Sequence, residues 1–517
     1  MKKIVSGKEL QDKILESINI LCGTVKKTLG PKGNNVLIDH SNYSPFITND
    51  GVTIAQNIES EDETIGTILE IIKEASIKTN EEVGDGTTTT LVLLESIYKQ
   101  SINFIEKGES PIILKKELNK TLEKILEKLN KQKRKASKND LKNIAYVSAG
   151  DETLGNIAYQ AMEKIKQKEG IVIKEVLDNK TSISYLKGYN CETTLASPYL
   201  LSDTKLVNYK DVYILLLNTV LTSLESISFL LNDILNNKKP LVIIANNYIE
   251  NVVEEIVSLV LIEKIPIYLL KIEEYGMHTY DIMKDISCIT NAKIIENENY
   301  ITSNDVGIAQ NIQITKENIN INFKVSSKSN CYLKKLKKES KEIDSDLESN
   351  FYEKRITMFY KGTAEIKLGA PTKTEWLEKR MHLEDAICAL SVSNKGILPG
   401  AGISLLQVSS EIESITSADK IWASALKKPF EQILENSGLN YLEIEKQVEK
   451  KNYNSIYNIS TERWEEINQT NVVDPFLVIE HSLINATSIA GMLLTTTSLI
   501  INEHKNNLNK EDEYNNW

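Results

Sequence analysis

The sequence lacks the cysteine pairs that mark metal clusters and disulfide frameworks. Its five cysteines, Cys22, Cys191, Cys288, Cys331 and Cys388, are scattered, odd in number and never spaced as Cys-x-x-Cys. We therefore expect neither a zinc cluster nor a disulfide-stapled fold, and we expect buried, reduced thiols instead.

A net positive charge and long apolar runs are also missing. A net charge of −11 argues against general nucleic-acid binding. Val212–Leu217 is too short to cross a bilayer, and Ile256–Leu270 contains two charged residues and a proline. No apolar run follows the basic start before Glu9, so no secretory signal is expected. These absences predict no membrane partner and a cytosol-like compartment.

The length of 517 residues predicts two or three domains, because single cores stop growing near ~250–300 residues. Apolar residues at helical spacing over 8–29, 63–83 and 113–135 predict a mainly helical first third. After a small α+β module over 141–186, apolar strands alternate with helical segments, which predicts an α/β domain. Helical character returns after Gly402 and continues to Ile501, so the α/β domain is inserted into the helical one.

Several local patterns predict particular turns and caps. Asn49-Asp50-Gly51 between apolar runs is typical of a hairpin turn. Asp474-Pro475 predicts a helix start with an N-capping carboxylate and proline at the first helical position. The alternating charges of Lys334–Ser349 predict a solvent-facing helix, and the Asn/Lys/Glu-rich tail from Asn502 predicts disorder.

The stretch Gly84-Asp85-Gly86-Thr87-Thr88-Thr89-Thr90 has the composition of a nucleotide site. Two glycines allow close backbone approach, a carboxylate can hold a divalent cation, and the N–H groups of a following helix favour phosphates. The same residues also describe an ordinary loop with an N-capping hydroxyl. Neither a Walker loop nor a Rossmann turn is present.

Five motifs in order resolve this choice. They are Thr28-Leu29-Gly30-Pro31-Lys32-Gly33-Asn34-Asn35-Val36, Ile47-Thr48-Asn49-Asp50-Gly51-Val52, Gly84-Asp85-Gly86-Thr87-Thr88-Thr89, Leu383-Glu384-Asp385-Ala386 and Val473-Asp474-Pro475. Through them the chain resembles a group I, GroEL-type chaperonin over nearly its full length.

The resemblance implies a multidomain α+β chaperonin fold. A mainly helical equatorial domain would comprise 1–131 and 396–501, and a small α+β intermediate domain 132–187 and 370–395. An inserted α/β apical domain would comprise 188–369, followed by a disordered tail over 502–517. It also implies ATP-driven protein refolding in rings of seven subunits, usually two rings, with Mg²⁺ and K⁺, non-native polypeptide clients and a GroES-type co-chaperonin lid.

Carried over motif by motif, the resemblance assigns roles to individual residues. The nucleotide would be bound by Thr28, Leu29, Gly30, Pro31, Asp85, Gly86, Thr87, Thr88, Thr89, Gly400, Gly402, Tyr457, Asn458 and Asp474, with Asp85 as the Mg²⁺ ligand. Asp50 and Asp385 would orient the attacking water. Clients would bind Tyr199, Leu200, Leu231, Val253 and Val257, and the apical hinge glycines would be Gly188 and Gly369.

The sequence departs from the family pattern at four places. Asn49 stands where lysine is usual, Ala401 interrupts a glycine triple, Thr193-Thr194-Leu195 replaces Arg-Gly-Tyr, and the tail lacks Gly-Gly-Met repeats. Two alternatives stay open: a ring that holds clients without a productive ATPase cycle, and a group II-like chaperonin with a built-in lid.

Overall fold

The computed structural model describes residues 2–40, 43–166, 168–176, 179–186, 188–201, 206–237, 239–274, 276–298, 301–323, 326–340, 343, 346–359, 363–467 and 470–502. The chain divides into two compact units. Unit 1 comprises Met1–Met162, Leu177–Lys180 and Leu368–Trp517, and unit 2 comprises Glu163–Val176 and Thr181–Lys367. The finer three-domain boundaries stay a prediction, and the predicted tail lies, from residue 503 on, outside the described residues.

The helices follow one another along the chain with short connections. They are α1 (Gly7–Val25), α2 (Gly51–Gln56), α3 (Glu63–Val83), α4 (Thr87–Ile105), α5 (Pro111–Gln132), α6 (Lys138–Ala149), α7 (Glu152–Ile165), α8 (Ser228–Asn237), α9 (Glu250–Glu263), α10 (Met277–Thr290), α11 (Ser327–Ser340), α12 (Asp346–Met358), α13 (Lys373–Val392), α14 (Ile403–Ser410), α15 (Ser417–Ala425), α16 (Lys428–Asn436), α17 (Tyr441–Lys450) and α18 (Phe476–Thr495).

The strands are shorter and concentrate in the middle of the chain. They are β1 (Lys2–Ser6), β2 (Val36–His40), β3 (Tyr43–Thr48), β4 (Ile171–Val176), β5 (Ser182–Leu186), β6 (Tyr189–Leu195), β7 (Val207–Leu221), β8 (Leu241–Tyr248), β9 (Ile267–Ile272), β10 (Ile294–Ile295), β11 (Gly307–Ile314), β12 (Asn318–Asn322), β13 (Thr363–Gly369), β14 (Ile397–Pro399), β15 (Ser455–Asn458), β16 (Arg463–Glu466), β17 (Val473–Pro475) and β18 (Ser498–Asn502).

Unit 1 is built around a helical core. The apolar stripe predicted on α1, which includes Leu10, Ile14, Ile18 and Leu21, is fully buried against α3 and α4. Helix α18 is long and apolar enough to cross a membrane by length and composition alone, but 67% of its most apolar window is buried inside the protein. It packs against α3, α4 and α5, which is the position of a core helix.

Three local predictions in unit 1 are wrong. The hairpin is formed by β2 and β3, which pair antiparallel before Asn49, so Asp50 does not form its turn. Asp50 instead N-caps α2, accepting hydrogen bonds from the backbone N–H groups of Val52 and Thr53. Asp474 does not cap a helix, because it lies in β17 and Pro475 takes the N-cap position of α18.

The chain termini differ from the prediction as well. Helical structure ends at Thr495 rather than Ile501, and Ser498–Asn502 forms β18, which pairs antiparallel with β1. This pairing places both ends of the described chain in one two-stranded sheet. A five-residue strand leaves too short a pattern to separate from a helix end by periodicity.

Unit 2 is a mixed α/β structure, as predicted. Its main sheet has the order β10-β7-β11-β12-β6-β9-β8, and β8 also pairs with β7, so the six strands from β7 to β8 in this order close on themselves. The predicted apolar strands lie within β7, β8 and β9, which pair in parallel. Their predicted runs, Val212–Leu217, Leu241–Ala245 and Ile267–Leu270, are almost completely buried. A second sheet, β4-β13-β5, has three strands. The single helix predicted over Lys334–Ser349 is two helices, α11 and α12.

The cysteines lie as free thiols, consistent with the absence of a disulfide framework. Cys22, Cys191 and Cys288 are buried, but Cys331 is exposed and Cys388 is half-buried, so the expectation of burial is wrong for these two.

Candidate functional site

The turn after α1 has a backbone shape that glycine permits. Gly30 has φ +88°, and a Cβ there would stand 3.0 Å from Ile433 Cγ2. On α16, Asn436 Nδ2 donates to the carbonyl oxygens of Lys26 (2.9 Å) and Leu29 (2.8 Å). The turn formed by Thr28–Pro31 is therefore held by a helix from the far end of the sequence.

The loop between α3 and α4 ends in an open helix start. Gly84 and Gly86 have φ of +68° and +81°, and Gly86 is the N-cap of α4 without any side-chain cap. The N–H groups of Thr87, Thr88 and Thr89 in the first turn of α4 therefore lack a side-chain acceptor, which is the arrangement that binds anions. The Thr90 hydroxyl is already engaged within the loop, because it donates to the Gly86 carbonyl oxygen.

Asp50 lies beside this helix start. A Cβ on Gly51 would overlap the hydroxyl oxygens of Thr87 and Thr88, so only glycine allows the start of α2 to approach the start of α4 this closely. Asp50 keeps its position because Thr53 N donates to Oδ2 at 2.9 Å. The capping carboxylate thus stands at the edge of the candidate phosphate site.

Asp385 comes to the same place from α13. A Cβ on Gly84 would stand 2.5 Å from Cys388 Sγ, so α13 packs directly on the glycine loop. Asp385 precedes Cys388 by three residues and therefore lies on the same side of the helix. The structure brings Asp385 near Asp85 and Asp50, whose charges raise its pKa.

Asp474 completes the group of carboxylates. It lies in β17 opposite Leu398 of β14, and a Cβ on Gly400 would stand 3.1 Å from Asp474 Oδ1. Gly402 has φ +74°, and a Cβ there would stand 2.8 Å from Phe430 N. Ala401 between them has φ +51°, a conformation that costs an L-residue roughly 1–2 kcal/mol.

One apolar cluster lies under the far side of the site. Its core contains Ile403 and Phe430, and Leu29, Ala401 and Tyr457 pack against it. The turn after α1, the turn before α14 and the β15–β16 hairpin therefore share a common apolar base.

Asn458 is engaged within that hairpin. Its Nδ2 donates to Glu465 Oε1 at 2.8 Å, and its Oδ1 accepts from Ser460 N at 3.0 Å. The amide therefore shapes the hairpin that presents Tyr457, and its assignment as a nucleotide contact stays a prediction.

Electrostatics set these carboxylates apart from the surface carboxylates. Burial, and then the charge of Asp85, raise the pKa of Asp474 to about 7. Burial also raises the pKa of Asp85, opposed by hydrogen bonds from Gly86 N (2.6 Å) and Ser148 Oγ (3.1 Å). For Asp385, burial and the charges of Asp85, Asp50 and Glu384 raise the pKa well above its ordinary value.

The donor set suits a divalent cation carried by phosphates. Burial and the charge of a neighbouring carboxylate raise the pKa of each of Asp85, Asp385 and Asp474, so a cation at this place would favour their charged forms. The described residues contain no group of three or more side chains that could hold a metal alone. Mg²⁺ typically takes one or two carboxylates and completes its shell with water and phosphate oxygens.

The predicted client residues of unit 2 differ in accessibility. Tyr199 is 69% exposed, whereas Leu200 and Leu231 belong to the buried core between sheet and helices. Val253 and Val257 are partly buried against the same core. The sequence did not indicate a cleft of about 520 Å³ on the other side of α9, lined by Leu224, Asn251, Glu254, Glu255, Ser258, Leu259, Ile262 and Glu263.

The two predicted hinge glycines have different surroundings. Gly188 has φ +109°, and a Cβ there would stand 2.5 Å from the Ile321 carbonyl oxygen, so glycine is required in this conformation. Gly369 ends β13. Their role as hinges stays a prediction.

Sequence reasoning missed the residues that support the site from a distance. Ser148 and Asn436 act by hydrogen bonds to Asp85 and to the turn after α1. Their partners lie 63 and more than 400 residues away, and neither residue belongs to a recognisable motif. No local signal in the sequence could have identified them.

A comparison with models of protein families identifies the family of this chain. The model of the TCP-1/cpn60 chaperonin family matches residues 21–504, which includes every element of the candidate site. The chain therefore belongs to the TCP-1/cpn60 chaperonin family.

Proposed function

We propose that the protein is an ATP-dependent chaperonin of the group I type, which encloses non-native polypeptides in a ring and promotes their refolding. As a chaperonin the chain is a chaperone, and members of its family generally hydrolyse ATP, form rings and take polypeptides as clients. Hydrolysis by this chain, the sevenfold ring and a GroES-type lid are the finer parts of the proposal.

The observation that carries the proposal is the convergence of Asp50, Asp85, Asp385 and Asp474 at the uncapped start of α4. These residues come from four distant segments, and three of them have raised pKa values. Buried carboxylates this close together are costly to ionise without a cation, and the N–H groups at the uncapped start of α4 favour an anion. A nucleotide phosphate with its divalent cation supplies both missing partners.

Different residues of the site suit different parts of an ATP molecule. The N–H groups of Thr87–Thr89 would bind phosphate oxygens, and Asp85 would hold Mg²⁺, which would neutralise phosphate charge. The turns at Thr28–Pro31 and Gly400–Gly402, with Asp474 and Tyr457, would hold the ribose and base.

Asp50 and Asp385 are the remaining groups, and both can accept hydrogen bonds from a water. Hydrolysis of a phosphoanhydride needs positioning and charge neutralisation more than a covalent nucleophile. Because Asp385 lies on α13, next to the loop but 300 residues from Asp85 in sequence, the position of this helix controls whether the site is complete.

Unit 2 supports the group I assignment. Each of its five described helices contributes side chains to the cores on the main sheet: α8 and α9 to one, and α10, α11 and α12 to the other. No described helix stands apart as a built-in lid, so a separate co-chaperonin is the simpler partner. The exposed Tyr199 and the partly buried Val253 and Val257 would contact clients, and we place the ring in a bacterial cytoplasm.

Steady-state ATPase measurements test the proposal. Asp385→Asn should lower kcat by about 100-fold or more, as expected for loss of a group that orients the attacking water, with nucleotide binding retained. Glu375→Gln is the matched control, because Glu375 lies on the same helix, pairs with Lys379 and does not contribute to the raised pKa of Asp385. Equal activity of wild type and Asp385→Asn would refute the assignment.

Assembly and client handling need separate measurements. Electron microscopy should show sevenfold rings, and addition of a GroES-type protein with ATP should cap them; eightfold rings would refute the group I assignment. A wild type that suppresses client aggregation without hydrolysing ATP would establish the holding ring instead.

A further inference from the structure

A histidine on α13 is bonded to two other segments of unit 1. His382 Nδ1 lies 2.8 Å from the Ala149 carbonyl oxygen at the end of α6, and Nε2 lies 2.8 Å from Asn49 Oδ1, just before Asp50. The imidazole thus joins three elements that surround the candidate phosphate site.

The chemistry of the two partners shows why asparagine suits position 49. A backbone carbonyl only accepts, so Nδ1 carries a proton, and Nε2 donates only when the ring is charged. The amide of Asn49 can accept from a charged ring or, after rotation, donate to a neutral one. A lysine at position 49 could only donate and would repel the charged ring, so Asn49 is the residue that keeps this bond in both states.

The neighbouring residue strengthens the attachment of α13. Met381 Sδ lies 3.3 Å from Thr53 Oγ1 and 4.0 Å from Thr48 Oγ1. Two consecutive side chains of α13 therefore contact the 48–53 segment that carries Asp50. Asp385 follows His382 by three residues, close to one helical turn, on the same side of the helix.

We propose that His382 and its partner Asn49 position Asp385 for ATP hydrolysis. His382 acts by fixing the turn of α13 that bears Asp385 against Asn49 and Ala149, and it does not contact the nucleotide. The inference rests on the proposed ATPase function and adds to it two residues that hold Asp385 in place.

Kinetics of matched variants test the inference. His382→Ala and Asn49→Leu should each lower kcat about tenfold or more, because small misplacement of a positioning group is costly, while the Kd of a non-hydrolysable ATP analogue stays within about twofold of the wild-type value. The double variant should be no slower than the slower single variant, since both substitutions remove the same bond between His382 and Asn49. His382→Gln, which can still donate to the Ala149 carbonyl, should recover part of the activity.

The control is His278→Ala. His278 lies on α10 of unit 2, where it bonds to Glu348 and stacks on Phe351, and it belongs to no part of the proposed site, so kcat should stay at the wild-type value.

Hydrogen exchange without nucleotide gives a second readout. In His382→Ala the amides of 49–53 and 381–388 should exchange faster, whereas in Asp385→Asn they should not. A purely structural role would instead lower the melting temperature and nucleotide affinity together, and that result would overturn the inference.

The outcomes separate this inference from the function on which it rests. Wild-type hydrolysis that disappears in Asp385→Asn but persists unchanged in His382→Ala overturns the positioning role alone. A wild type without ATPase activity overturns both. Additive losses in the double variant would show that His382 and Asn49 act independently, which also contradicts the proposal.

Discussion

Gly84 lies directly against the side chain of Cys388, so that a Cβ on Gly84 would stand 2.5 Å from both Cβ and Sγ of Cys388. This contact lets α13 pack on the loop that carries Asp85. Because Asp385 is three residues before Cys388, the absence of a side chain at Gly84 determines how closely Asp385 approaches Asp85.

Gly84→Ala should therefore push α13 away from the loop. We expect kcat for ATP to fall by about tenfold to 100-fold, since a displacement of ~1 Å is enough for such losses. Alanine at Gly84 also introduces the backbone strain of a positive φ, and Gly108→Ala is the control for that strain. Gly108 has φ +99°, but nothing lies within 4 Å of the position that a Cβ would take there. Equal losses in the two variants would show that strain, not the contact with Cys388, is responsible.

The sequence predicts the helical core of unit 1 and the parallel strands of unit 2 because each depends on a repeating pattern. It fails at Asp50 and Asp474, where the local signal has two meanings. An aspartate before glycine is typical of a turn as well as a helix cap, and the pairing of β3 with β2 before Asn49 leaves Asp50 as the cap. An aspartate before proline is typical of a helix start, but the pairing of β17 with β14 makes Asp474 a strand residue.

In the candidate site, too, the sequence predicts some features and leaves others out. The ordered motifs contain the carboxylates, but the bonds from His382 to Asn49 and from Asn436 to Leu29 join residues more than 300 positions apart. Such pairs leave no periodic or local trace in one sequence. The family resemblance predicted which motif residues form the site. The contacts that orient these residues are visible only in the structure.

Neutralising Asp474 should stabilise the nucleotide-free protein. Its pKa is about 7 in the folded chain and 3.8 ordinarily, so between these pH values the folded state binds more protons and the free energy of unfolding falls as pH rises. We expect Asp474→Asn to raise the apparent Tm at pH 8, with the gain disappearing towards pH 4. ATP affinity should fall at the same time.

Asp62 is a comparison in which the pKa is lowered and not raised. Its ion pair with Lys13 lowers its pKa to about 2, so its stabilising effect is present above 3.8 and is lost as pH falls towards 2. Asp62→Asn should therefore lower the apparent Tm at pH 8. Differential scanning calorimetry across pH 2–8 measures both effects. A lower Tm for Asp474→Asn at pH 8 would show that the charge of Asp474 does not destabilise the folded protein.

Asn436→Leu should weaken nucleotide binding without slowing chemistry. The change removes both hydrogen bonds that hold the turn after α1 and leaves two carbonyl oxygens without this donor, which costs about 1–3 kcal/mol. We expect the Kd for ATP to rise about tenfold at nearly constant kcat. Asn143→Leu, which removes an exposed amide pair with Asn471, is the control and should bind ATP as the wild type does. A fall in kcat alone would mean that Asn436 acts on Asp385 instead.

The buried charges of unit 2 give a test of stability apart from the ATP site. Asp285 is fully buried and accepts from Arg355 Nε (3.0 Å), Arg355 Nη2 (2.9 Å) and the hydroxyls of Tyr189 and Tyr332. Burial raises the pKa of this carboxyl even though Arg355 opposes the shift. The carboxylate therefore depends on all of its partners to stay charged inside the protein.

Arg355→Met should destabilise unit 2 by roughly 3–5 kcal/mol, because it leaves Asp285 buried without its cation. Limited proteolysis should then cut within 181–367 at lower denaturant concentrations than in the wild type. Adding Asp285→Asn should recover much of the loss, since no uncompensated charge remains, and the loss in Arg355→Met alone should shrink as pH falls and Asp285 takes up a proton. Lys335→Met on the exposed face of α11 is the control. If the double variant were as unstable as Arg355→Met, the packing of the guanidinium, and not the unpaired carboxylate, would account for the loss.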